Sequence, residues 1–333
     1  MLNRADSIES LSVRGVFSLN AKAKRRARTI TLLTVCMPLM GFVVAVFSGW
    51  LRHISATDVI ALTSLYFLTT LGITLGFHRL FSHRAFRTSR IVETTLIIFG
   101  SMAAQGPLLS WVAIHRRHHT YSDRDGDPHT PNRGEQKERA YFEGVWHAHV
   151  GWLFKHEMTN TRIYASDLLK NKLVVRMSQP DYYLGSVMAG LLLPAIACGL
   201  ASMTWMGAVR GLVWGGLVRL FLVHHATWSI NSICHLFGSR PFPSRDSSGN
   251  VSWLSLFTLG ESWHNNHHAF PRSAYHGLRW WQMDLTGCIV FALAAVGLVW
   301  DVQIPLRQEG QLTQRGAAPG SSRSIAGRAR SRS

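Results

Sequence analysis

The chain has 333 residues, 47% of them hydrophobic and only 16% charged, with 12 Trp and a formal net charge of +17. It is too apolar for an ordinary soluble enzyme and suits a membrane protein of one or two domains. Cys36, Cys198, Cys234 and Cys288 lack any CxxC spacing, which excludes a disulfide framework and a zinc motif and points to a reducing compartment or burial in lipid.

In chain order, residues 1–28 are polar, end in AKAKRRAR and are expected to lack structure. Residues 29–51 and 59–77 carry no charge, and each is about as long as the roughly 20 apolar residues a span requires. The short RHISATD between them makes a hairpin. The first stretch is no secretory signal, because no small-residue cleavage site follows it and a second span does. AKAKRRAR before the first span and HRLFSHRAFRTSR after the second place both flanks on the cytoplasmic side. Residues 94–114 are long enough to cross, but a fifth span would put the later histidines on the opposite side from His78 and His83. They are read as a helix lying against the membrane face, broken at Gly106-Pro107. A second hairpin follows, with spans at about 182–205 and 207–228, the latter interrupted by Arg219. Residues 286–300 are short for a span and read as interfacial. The segment 306–333 ends in RGAAPGSSRSIAGRARSRS, a basic tail suited to anionic lipid rather than nucleic acid. The fold class expected is an all-α membrane protein. Four transmembrane helices form two hairpins, and residues 78–181 and 229–305 form a cytosolic helical cap.

The chain has 17 histidines. Nine fall into four clusters: His78 and His83 in HRLFSH; His115, His118 and His119 in HRRHH; His235 in NSICH; and His264, His267 and His268 in HNNHH. Each HxxHH puts three imidazoles on one helix face, and Asn231 and His235 are likewise one turn apart. His78 and His83 are about 140° apart on an ideal helix, so they share a site only if the helix ends or bends there. A single cluster is compatible with a polar surface patch; four on one side of the membrane point to metal. Nine imidazoles are too many for one zinc, and two metals accommodate them. Imidazole suits Zn, Cu, Fe and Ni alike. Asp123, Asp125, Asp127 and Glu261 are candidates to accept the other ring N–H of each ligand, with His129 of DGDPH as a helper. Arg219, His224 and His225, inside the last span, are read as structural pairs.

HRLFSH, WVAIHRRHHTYSDRDGDPH, HVGWLF, ATWSINSICHLFGSRPF and GESWHNNHHAFP together resemble the integral-membrane fatty acyl desaturases, in particular the stearoyl-CoA (delta-9) branch, over roughly residues 30–305. The resemblance implies two iron ions held by His78, His83, His115, His118, His119, His235, His264, His267 and His268, with Asn231 reaching one iron through water. It implies a bent acyl tunnel fixed at Gln105, Trp111 and Thr227, with Trp228 beside them. Dioxygen is the implied co-substrate, and a long-chain acyl-CoA or acyl-lipid the substrate. No GxGxxG follows a strand and no electron-carrying domain is fused. The implied electron donor is therefore separate: a small acidic ferredoxin, or a b-type cytochrome with its reductase. Animal acyl-CoA desaturases carry a charged pair before HxxHH where this chain has Ala113-Ile114, which leaves acyl-lipid and acyl-carrier-protein esters open. The alternatives are a di-iron hydroxylase or ketolase acting on a lipid and, from a different class, a membrane metal transporter.

Overall fold

The computed structural model describes residues 13–49, 53–132, 138–308 and 311–313. It is mostly helical, and four helices are long and apolar enough to cross a membrane: Ala21–Phe47, Ala56–Ser82, Pro180–Ser202 and Trp205–His235. The first is α1. The second begins as α2 (Ala56–Leu71) and continues as a π-helix over Gly72–Ser82. Between the hairpins come α3 (Arg90–Met102), α4 (Leu108–Tyr121), α5 (Glu138–His149), α6 (Thr161–Tyr164) and α7 (Lys172–Met177). Pro180–Ser202 is α8, and the fourth long helix runs through α9 (Trp205–Gly211), a π turn at Leu212–Val218, α10 (Arg219–Ser232) and a 3-10 turn at Ile233–His235. The short α11 (His264–Ala269) and α12 (Leu285–Ala295) complete the cap.

The helix limits follow local chemistry. Asn20 accepts the Ala23 N–H at 2.9 Å and starts α1 within the basic AKAKRRAR run. Ser55 and Asp58 form a capping box at the start of α2. The expectation of an unstructured segment over residues 1–28 is corrected for its described part: Val16–Ser18 pairs antiparallel with Glu157–Thr159, and α1 begins at Ala21. Leu306–Gln308 likewise pairs with Gln311–Thr313 in the segment read as a tail. Residues 1–12 and 314–333 lie outside the described residues.

The 94–114 segment is broken around Gly106-Pro107, as expected. α3 stops at Met102, Ala104 and Gly106 take φ values of 54° and 100°, and α4 resumes after Pro107. The end of α3 abuts the fourth long helix. Arg219 donates to the carbonyls of Met102 (2.7 Å), Gly190 (2.7 Å) and Gly215 (3.1 Å), and His224 Nε2 donates to Ala103 O at 2.8 Å. A cation and an N–H donor at this helix C-terminus satisfy carbonyls that have no partner in their own helix. α3 also crosses the π-helix with almost no side chain between them. A Cβ on Gly72 would lie 2.1 Å from Gly100 N, and one on Gly100 would lie 2.4 Å from the Phe77 ring. α12 has only 11 residues, and Val299–Trp300 beyond it pairs with Arg87–Thr88 just after HRLFSH. These contacts gather the ends of the second and fourth long helices beneath α4 and α11.

Candidate metal centre

The π-helix brings His78 and His83 together. In a π-helix the backbone pairs residue i with i+5, and the His83 N–H donates to His78 O at 3.2 Å. Residues five apart therefore sit one turn above each other, and the ring centroids are 4.9 Å apart. The helix also ends there, as expected, with His83 the residue just past Ser82, and the change of winding adds to it. The rings of His115, His118 and His119 come from α4, and those of His264, His267 and His268 from α11. His235 sits in the 3-10 turn that follows α10.

The nine rings form two groups. One holds His78, His83, His115, His119 and His267; the other His118, His235, His264 and His268. In each, the ring nitrogens all lie within 4.8 Å of one another. Nε2 faces Nε2 at 2.7 Å for His83–His115, 2.9 Å for His267–His119, 3.1 Å for both His78–His267 and His264–His235, and 3.0 Å for His268–His264. Four of the rings are held from behind through Nδ1. His118 donates to Asp127 at 3.0 Å, His235 to Asp123 at 2.9 Å, His268 to Asp246 at 2.6 Å, and His78 to Glu261. An ionised carboxylate only accepts, so Nδ1 carries the proton and Nε2 is a bare lone pair. The Nδ1 atoms of His264 and His267 are buried without a partner. Lone pairs packed head to head repel unless a cation lies among them, so this donor set fits two metal ions.

The electrostatics agree. Burial and neighbouring rings hold His83, His115, His119, His264 and His267 well below the usual imidazole range. Burial pushes His268 down to about 4 despite Asp246. His118 is also disfavoured as a cation by burial, but the charge and hydrogen bond of Asp127 outweigh this and raise it. Neutral imidazole is the metal-binding form.

Among the carboxylates expected to orient ligands, Asp123, Asp127 and Glu261 do touch rings, whereas Asp125 is exposed and contacts none among the described residues. His129 stacks on His118 at 4.4 Å, and its backbone N–H donates to Asp127 at 3.1 Å. Five residues escaped the sequence reading. Asp246 belongs to a polar loop with no pattern to mark it. Arg79, wholly buried, bonds Glu261 (3.1 Å) and Asp284 (2.8 Å); its signal was a charge at the end of an apolar span. His276 lies against His267, with centroids 4.6 Å apart. The two asparagines of HNNHH are clamps: Asn265 bonds Phe242 N and O, and Asn266 bonds Asn250, His276 O and Gln282.

A cavity of about 620 Å³ runs from Arg26, Thr31 and Tyr183 to Trp111, Thr227 and Asn231. A smaller one of about 60 Å³ shares those last three residues and continues between the second and fourth long helices to Thr70 and Thr258. At their junction Gln105 donates to Thr227 Oγ1 at 2.9 Å, and Trp111 Nε1 donates to Gln105 Oε1 at 3.3 Å. Trp111 in turn stacks on His115, centroids 5.2 Å apart. Trp228 lines the larger cavity, as do Trp152, whose buried Nε1 makes no hydrogen bond, and His129, whose Nδ1 lies 3.8 Å from Asp127. Asn231 stands, with His115, on the wall that both cavities share. His225 bonds His149 at 2.9 Å, away from both groups.

Comparison with known proteins accounts for this pairing of a histidine cage with an apolar channel. A family model described as fatty acid desaturase matches residues 57–294. A hex-5-enoyl (acyl-carrier protein) acetylenase of Moorena producens is 46% identical over 276 residues, 82% of this chain and 85% of that protein. An sn-1 stearoyl-lipid 9-desaturase of Anabaena variabilis is 39% identical over 72% of this chain and 82% of its own length. Delta-9 acyl-lipid desaturase 1 of Arabidopsis thaliana is 38% identical over 72% of this chain and 73% of its own. The matched span runs from the second long helix into α12 and contains every ring of both groups, so the chain belongs to the fatty acid desaturase family.

Proposed function

We propose that this protein inserts a cis double bond, at the delta-9 position, into a long saturated acyl chain, using two iron ions, dioxygen and two external electrons. The observation that carries the reading is the contact of Trp111 with both the cage and the channel. It stacks on His115 and holds the hydrogen-bonded bend made with Gln105 and Thr227. Bound iron supplies reductive activation of dioxygen and with it the C–H cleavage that no side-chain acid or base performs. In balance, one dioxygen, two electrons and two protons take two hydrogens from adjacent methylenes and leave an alkene and two waters.

The chain's own residues do the rest. The nine imidazoles are the metal ligands, and Asn231 reaches one metal through water. Asp123, Asp127, Asp246 and Glu261 fix the ring tautomers and aim Nε2 inward. The Gln105–Thr227–Trp111 bend holds one C–C bond of the substrate at the cage, which supplies regiochemistry by position. His129 and Trp152 offer polar groups toward the wide end of the channel, where the ester carbonyl would lie. Ala113 is buried and Ile114 lines the cavity, so neither places a cation for a CoA phosphate. The names of the relatives from Anabaena and Arabidopsis favour a lipid ester, while Arg26 at the wide end of the channel still offers a cation to a CoA phosphate. The basic flanks support a reading with the cap and both termini in the cytoplasm, at a bacterial cell membrane or the endoplasmic reticulum. There a ferredoxin or b-type cytochrome delivers electrons. The similarity to an acetylenase favours a second reading: removal of two hydrogens from an existing double bond at the same site.

The test is a lipid profile of cells expressing the protein with a competent electron donor, beside the His267→Ala variant. New cis-monounsaturated acyl chains with the first and none with the second are expected. An alkyne selects the second reading. A hydroxyl or keto lipid, or altered cellular metal with unchanged lipid, defeats both.

A further inference from the structure

We infer that the two metal positions are unequal: the four-histidine group, backed by Asp123, Asp127 and Asp246, retains its ion, and the five-histidine group is the one that empties first. This rests on the two-metal reading above and concerns what lies behind the rings.

In the four-histidine group, three of four rings give their Nδ1–H to an aspartate: His118 to Asp127, His235 to Asp123 and His268 to Asp246. None of those carboxylates pairs with Lys or Arg among the described residues. Their other partners are neutral. Asp123 accepts from the Ser247 N–H (2.7 Å) and the Thr130 hydroxyl (2.7 Å). Asp127 accepts from the N–H groups of Asp123 (2.9 Å) and His129 (3.1 Å). Asp246 accepts from the Ser248 N–H (3.0 Å). Three anions with no Lys or Arg on their carboxylates among the described residues therefore stand one imidazole away from this position; Arg240 reaches Asp246 only at its main-chain carbonyl.

The five-histidine group has one such support, Glu261 behind His78. Its charge is shared with Arg79, whose guanidinium also bonds Asp284. No carboxylate meets Nδ1 of His83, His115 or His119 among the described residues, and Nδ1 of His267 has no partner. An anion behind an imidazole makes its Nε2 more basic and stabilises positive charge on the bound ion, and losing one such partner typically weakens metal binding 10–100-fold. The extra ring of the five-histidine group adds a neutral donor. The aspartates add charge in a buried, weakly screened setting, where charge counts for more.

Full-length protein in detergent, loaded anaerobically with Fe(II), is challenged with excess chelator, and the iron retained per chain is followed. Two equivalents are expected, one leaving at least about 10-fold faster than the other. Asp246→Asn should speed the slow phase by about 10-fold or more and leave the fast one unchanged. Asp123→Asn, acting through His235, gives the same test if the first variant does not fold. Release of both equivalents with one rate constant, or a variant that speeds only the fast phase, overturns the inequality and leaves the two-metal reading standing. A wild-type chain that never holds two equivalents overturns both.

Discussion

Each imidazole in the cage has two nitrogens with separate tasks, Nε2 inward and Nδ1 outward, and the channel residues divide their work in a similar way. Thr227 accepts from Gln105 while its own hydroxyl donates to Val223 O at 3.0 Å. The Gln105 amide in turn accepts from Trp111. Thr227→Val keeps the shape and removes the acceptor, so the Gln105 amide loses its partner at a cost of about 1–3 kcal/mol. That is enough to let Gln105 turn and release Trp111. The variant should still bind metal at the wild-type stoichiometry, but its double bonds should spread over neighbouring positions. Mass spectrometry of derivatised acyl chains reads this directly. A product with the wild-type position and yield would remove the bend from the reading.

The element that makes the site is the π-helix at Gly72–Ser82, since it alone turns His83 onto the face of His78. It is held by packing on α3 at the Gly72–Gly100 crossing and by Arg116, which donates to Phe81 O and Ser82 O at 2.8 Å each. A methyl on Gly72 meets backbone, which has no rotamer to yield, so Gly72→Ala should cost about 1–3 kcal/mol or more as overpacking. It should also move the two rings apart. Lower thermal stability in detergent and a loss of bound metal are expected together; unchanged metal content would show that the crossing does not set the winding. The HxxHH ligands were legible in the sequence because both boxes lie on short helices whose period alone puts their rings on one face. The π-helix was not legible, because its winding depends on a packing partner some 28 residues away, Gly100 against Gly72. Asp246 was invisible for a related reason: it lies in a loop without periodicity and reaches His268, 22 residues on, in α11. Three of the spans were legible as uncharged runs, and the fourth as an apolar run interrupted by Arg219. The start of the first was not, because α1 carries its helix down into AKAKRRAR to the Asn20 cap, where composition suggests only a solvated segment.

At the scale of the whole molecule, the fold encloses many neutral imidazoles, and this fixes how its stability responds to acid. An imidazole titrates near 6.5 when exposed. In the fold, burial and neighbouring rings hold His83, His115, His119, His264 and His267 well below that, and burial brings His268 to about 4. His149, buried against His225, is also near 4. Below pH 6.5 the unfolded chain takes up protons that the folded chain refuses, so stability falls as pH falls, from about 6.5 toward about 4. His118 opposes the trend, since Asp127 raises it and its charged form favours the fold in that window. It is one ring against seven. Further down, burial acts to raise Asp123, Asp127 and Asp246, but their bonded histidines outweigh it and hold them well below the usual carboxylate range, so protonating them adds a second loss below about pH 4. The melting temperature of metal-free protein in detergent should therefore drop steadily between pH 7 and pH 5. With iron bound, the same window should show metal release, because each ligand must stay unprotonated to hold its ion. A melting temperature that stays level across that interval would mean that the rings are hydrated and open to protons, and a cage open to water would not hold a C–H-cleaving oxidant against its side reactions.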